Sequence, residues 1–104
     1  MRFIMPSYIT LTHFTEQGVK NVRESVTRAA SFKAAAKKLG VTVKNIFWTL
    51  GDYDTVILCE APDDETAAAA MVSLASLGHV RPKTLRAFAA SEMEAILGKI
   101  PASA

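Results

Sequence analysis

Hydrophobic and polar positions change period several times along the chain, and each change marks an element. From Ser7 to Phe14 the period is two: Ile9, Leu11 and His13 point one way, and Tyr8, Thr10, Thr12 and Phe14 the other. That is a β-strand with apolar or aromatic groups on both faces, unlike the clean alternation of a sheet with one wet side. Thr15 to Glu24 has no clear period. Thr15 reads as the N-cap of a short turn, with Glu16 favourable near its start and Gly18 weakening any longer helix. One irregular turn is expected there. From Ser25 to Leu39 the period becomes helical: Ala29, Phe32, Ala36 and Leu39 share a face, flanked by Ala35, while Lys33, Lys37 and Lys38 lie off it. Ser25 is the expected N-cap and Gly40 the C-terminal stop.

Two apolar runs follow, Val41–Leu50 and Thr55–Ala61, separated by Gly51-Asp52-Tyr53-Asp54. Runs rich in β-branched and aromatic residues around a Gly/Asp turn predict a β-hairpin. Asp63 then caps a second helix whose buried stripe is Ala67, Ala70, Met71, Leu74 and Leu77, ended by Gly78. His79–Phe88 is a fourth strand. Pro82 inside it assigns it to a sheet edge, because proline cannot donate to a ladder. Ser91 caps a short helix, Glu92–Gly98, and Pro101 opens a tail.

The order βαββαβ plus a terminal helix predicts a ferredoxin-like α+β fold. Right-handed crossovers set both main helices on one sheet face. The other face has no cover within the chain. Yet strand side chains of both parities are large and apolar, Phe47 against Ile46 and Trp48, Val56 and Leu58 against Ile57. A second subunit laying its sheet on this one is the economical solution, so a sheet-to-sheet homodimer, or a multiple of it, is expected. A monomer with a mixed face is the alternative.

At 104 residues the chain is one domain, with a core from about residue 7 to 97. Half its residues are hydrophobic, which leaves apolar surface for a partner. The net charge of +2 is weak and the basic residues are scattered, so no nucleic-acid partner is expected. No run approaches the roughly 20 apolar residues of a membrane helix, and no membrane partner is expected. Residues 1–6 are too short for a signal peptide's apolar core, and Met5 offers an alternative start. The single cysteine, Cys59, cannot form an internal disulfide and reads as a small core residue, which suits a reducing cytoplasm.

At Gly51-x-Tyr53-Asp54, framed by Phe47-Trp48-Thr49-Leu50 and Ala61-Pro62-Asp63-Asp64, the chain resembles the GYD-domain family of small bacterial and archaeal proteins. The resemblance runs from about Ser7 to Leu97. It takes in Thr15-x-Gln17-Gly18 and Leu77-Gly78-x-Val80-Arg81. It implies a dimeric α/β-barrel architecture. The turn also resembles the hairpin in the effector domain of Lrp/AsnC-type regulators, which bind amino acids between subunits. This chain lacks their helix-turn-helix, so a DNA role does not transfer.

Three candidate sites follow. In the turn, Asp52, Tyr53 and Asp54 are placed to bind a polar ligand near a subunit junction, or simply to hold the turn by local bonds. At a sheet edge, taking the first and third strands as parallel neighbours sets His13, Glu60 and His79 together, as an acid/base group or metal ligands. No HxxxH or HExxH spacing accompanies them, and no metal site or cofactor is assigned. In a dimer cavity, Tyr8, Phe47, Trp48 and Arg86 are candidates to line a small-ligand site, Arg86 gripping a carboxylate; ordinary interface packing is the alternative. The leading expectation is a non-enzymatic small-molecule-binding or accessory domain acting as a homo-oligomer. The alternatives are a cofactor-independent monooxygenase- or isomerase-like enzyme with His13 or His79 as base, and a protein-interaction module.

Overall fold

The structure is a computed structural model that describes residues 5–102. The proposed N-terminal extension and the end of the tail lie outside the described residues. In chain order the elements are β1 (Ser7–Phe14), α1 (Glu16–Lys20), a 3-10 turn (Val22–Glu24), α2 (Ser25–Lys38), β2 (Thr42–Trp48), β3 (Thr55–Glu60), α3 (Asp64–Ser76), β4 (Val80–Ala87) and α4 (Ala90–Gly98). The strands form one antiparallel sheet in the order β2-β3-β1-β4. This is the ferredoxin-like α+β fold, and the sheet does not close into a barrel within the chain. β4 is an edge strand, as Pro82 requires.

One expectation is corrected. β1 and β3 are antiparallel, with Ser7 opposite Glu60 and Thr12 opposite Thr55. A right-handed crossover makes β1 parallel to β2, and the hairpin then reverses direction, so β3 must run against its neighbour β1. Glu60 therefore sits at the end of the sheet remote from His13, which faces Arg81.

Local signals account for most boundaries. Thr15 caps α1, its side chain accepting from the Gly18 N–H at 3.1 Å. Asp63 caps α3 by accepting from the Thr66 N–H at 2.7 Å. Ser25 does not cap α2: it is already helical, and Glu24 occupies the cap position without a side-chain bond. α4 begins at Ala90 rather than behind a Ser91 cap, with Glu92 reaching back to the Ala89 N–H at 3.1 Å. The hairpin turn takes in Thr49 and Leu50, which the pattern assigned to β2.

β2 contains a bulge at Lys44: Val43 faces Cys59, yet Asn45 already faces Leu58. The extra residue shifts parity, so Val41 and Val43 before it and Ile46 and Trp48 after it all serve the helix side. Phe47 is thereby turned to the opposite face, beside Val56.

The core lies between sheet and helices: Tyr8, Phe32, Ala36, Val41, Val43, Ile57, Cys59, Ala61, Ala67, Ala70 and Met71. Leu39 and Leu77, placed on the helical stripes by spacing, are exposed because each is the C-cap residue just past its helix. α2 packs chiefly over β2 and α3 over β4. The two helices thus cover opposite edges of the sheet and leave a gap over its middle strands. α4 packs extensively on no other element. The radius of gyration is 15.9 Å, against about 13 Å for a compact chain of this length.

Cys59 is buried, and burial, reinforced by the charge of Glu60, pushes its thiol above the ordinary value. It is expected to resist thiol reagents in the native protein and to react on unfolding; native labelling at the unfolded rate would contradict this placement.

Candidate functional site

The structure sorts the sequence-derived candidates into three separate groups. The first surrounds the turn. Asp54 accepts from the Phe14 N–H through its carboxylate at 2.8 Å, and its own N–H donates to the Thr12 carbonyl at 2.8 Å. Tyr53 stacks on His13 with ring centroids 4.7 Å apart. His13 donates from Nε2 to the Asp52 carbonyl at 2.5 Å. These contacts fasten the hairpin to the end of β1.

The second group is at the opposite end of β1. Buried Tyr8 donates to the Asp64 carboxylate at 2.5 Å. Arg86 pairs with Glu92 at 3.0 Å, lies over the Phe88 ring at 4.5 Å, and donates to the Ser7 and Ala87 carbonyls. Arg86 is thus already occupied, and its work is to hold the start of α4. Glu92 is held below the usual carboxylate range by the Ala89 N–H first and by Arg86 second. Tyr8 and Trp48 sit at opposite ends of the sheet, four residues or about 13 Å apart along β1. Within one chain Tyr8, Phe47, Trp48 and Arg86 therefore do not share a cavity, and Phe47 lies on the other sheet face. The corrected topology likewise separates His13 and His79 from Glu60 and from Arg86.

The third group is a true cavity of about 70 Å³, in the gap between α2 and α3. Its floor is Thr12 and Thr55, whose hydroxyls bond each other at 2.5 Å. Phe14, Phe32, Ile46, Leu74 and Val80 give it apolar walls. Ser25, Arg28, Trp48 and His79 supply the polar groups. The Trp48 indole N–H donates to the Ser25 hydroxyl at 3.1 Å, which explains why that serine sits inside the helix rather than capping it. Arg28 donates to the Asn21 carbonyl at 2.7 Å. Among the described residues no carboxylate pairs with Arg28.

His79 is positioned with care. Its carbonyl accepts from the Thr15 N–H at 3.0 Å, and the neighbouring Gly78 carbonyl accepts from the Thr15 hydroxyl at 2.6 Å. Gly78 has φ +84°, a region that favours glycine. Gly18 is buried against the same strand start, and a Cβ there would overlap the His79 carbonyl. On the ring, Nε2 lies 3.5 Å from the Gln17 amide. Nδ1 is buried without a partner among the described residues, an arrangement that costs on the order of 1–3 kcal/mol when nothing fills it. Sequence reasoning named Trp48 and His79 but missed Arg28, Ser25 and Gln17. The readable signal for Arg28 was a charge adjacent to Ala29 on the inner helical stripe. Among the described residues no three His, Cys, Asp or Glu side chains are grouped to hold a metal.

These features define a ferredoxin-like domain with a small cavity under its helices and an uncovered sheet face. The chain belongs to the GYD domain family, whose model matches residues 8–97. It is 34% identical over 94 residues to a Thermus thermophilus protein named "Glutamine synthetase and cystathionine beta-lyase binding protein", the match covering 89% of this chain and 99% of that protein. No solved structure matches the chain significantly. Thr15, Gln17, Gly18 and Gly78, which carried part of the family resemblance, are the residues that seat α1 on the start of β4.

Gly18→Ala is expected to destabilise the fold by about 2 kcal/mol, because the obstacle is backbone; thermal melting at neutral pH checks it, and an unchanged midpoint would contradict the close approach. Burial, and then the bond to Asp64, push the Tyr8 phenol up to about 12. Between pH 10 and 12 the unfolded chain loses this proton while the folded chain keeps it, so stability falls as pH rises through that window. Tyr8→Phe should flatten that fall and cost about 1 kcal/mol at neutral pH, read from denaturant melts.

Proposed function

We propose that this chain is a non-catalytic accessory domain that acts by binding other proteins, metabolic enzymes of the kind in its Thermus relative's name, and that it works as a homo-oligomer. The observation that carries the proposal is uncovered apolar surface. On the open sheet face Ile9, Leu11, Val56 and Leu58 are half-buried beside exposed Phe47 and Leu85. Four strands at about 4.8 Å spacing, roughly 20 Å long, give a footprint of some hundreds of Å², the scale that marks interfaces. A two-fold copy is the natural cover, since one face then serves both subunits.

α4 is the second uncovered surface. Met93 and Leu97 on α4, and Ile100 just past its end, are exposed, and the Arg86–Glu92 pair ties the start of the helix to the body. A helix with such exposed residues suits docking into a groove of a partner protein. The small-molecule reading is supported by the cavity under the helices, and on this account serves the binding role rather than replacing it. The relative's name pairs it with metabolic enzymes, and we place this protein with such enzymes in the cytoplasm; no helix among the described residues is long and apolar enough to cross a membrane.

Two variants separate the two surfaces. Phe47→Lys with Leu85→Lys should give a folded monomer by light scattering. Truncation after Ala89 should keep the oligomer but lose capture of purified glutamine synthetase and cystathionine beta-lyase by the immobilised protein. An unchanged mass in the first, or unchanged capture in the second, would contradict the respective assignment.

A further inference from the structure

We infer that the cavity between α2 and α3 is a binding site for a small aliphatic carboxylate, with Arg28 as its recognition group and His79 on its wall. This concerns the helix side of the sheet and is independent of whether the open face or α4 takes a protein partner.

Size comes first. About 70 Å³ is room for roughly five water-sized groups, enough for a short branched chain and too little for a nucleotide or an aromatic cofactor. Wall chemistry comes second. Phe14, Phe32, Ile46 and Leu74 offer an apolar body no hydrogen bond, so bound water would be poorly held and an aliphatic group would replace it favourably.

The polar groups decide the head. Arg28 spends one donor on the Asn21 carbonyl at 2.7 Å, leaving most of the guanidinium fork without a partner among the described residues. His79 also lines the cavity, with Nε2 3.5 Å from the Gln17 amide. A guanidinium with spare donors at an apolar cavity, with no acid lining it, matches an anion; a carboxylate on a short aliphatic chain suits both the fork and the apolar walls. The Trp48 indole, bonded to Ser25 on the cavity wall, reports on occupancy.

The test uses the full chain and sodium isobutyrate, with isobutyramide as a neutral isostere. Titration by NMR should move the Trp48 indole N–H and His79 ring signals saturably with isobutyrate. The amide, and Arg28→Gln with isobutyrate, should each bind at least tenfold more weakly. Arg28 is at the cavity rim and outside the buried core, so its variant should keep a native spectrum. Equal binding of acid and amide, equal binding by the Arg28 variant, or shifts that never saturate and scatter over the surface would each overturn the assignment.

Discussion

The structure depends on an unequal sheet. Helices cover the face that carries Tyr8, Thr10 and Thr12 from β1 and Thr84 and Arg86 from β4. The face left open carries Ile9, Leu11, Val56, Leu58, Phe47 and Leu85. The polar groups on the covered side are each matched, Thr10 with Thr84 at 2.9 Å, Thr12 with Thr55, and Tyr8 with Asp64. Burial of such groups is tolerable only with partners. Fully burying one aliphatic side chain is worth about 1.5–3 kcal/mol, so several of them on one open face constitute a strong drive toward a second surface.

The same division makes room for a site. With α2 over β2 and α3 over β4, the middle strands are roofed by a gap rather than a helix–helix contact. The docking of α1 on the start of β4 fixes the His79 backbone beside that gap. The family's Thr-x-Gln-Gly and Leu-Gly-x-Val elements are thus two halves of one joint. Its hairpin turn is a second joint, since Asp54 and Tyr53 spend their side chains on β1. Both motifs join elements of the fold.

The fold was readable because period and capping agreed at each level: two-residue alternation at Ser7–Phe14, helical spacing around Phe32 and Met71, Asp63 before a helix, Pro82 on an edge. What failed did so for identifiable reasons. The Lys44 bulge breaks the period-two logic of β2 and hides which side Trp48 serves. Strand direction between β1 and β3 follows from chain reversal, which composition does not carry, and the error moved Glu60 by the length of the sheet. Arg86 looked free because its partner Glu92 belongs to a helix whose position no periodicity encodes. Arg28 and His79 are 51 positions apart and line one cavity only through the gap that the two helices leave.

Exposure of the open face to a soluble paramagnetic agent, read residue by residue from methyl NMR of the full chain, tests the central claim most directly. If the aliphatic sheet face is covered in solution, the methyls of Ile9, Leu11, Val56 and Leu58 will be shielded while that of Val72, exposed on the outer side of α3, is broadened. Equal broadening of the sheet-face and Val72 methyls would contradict it.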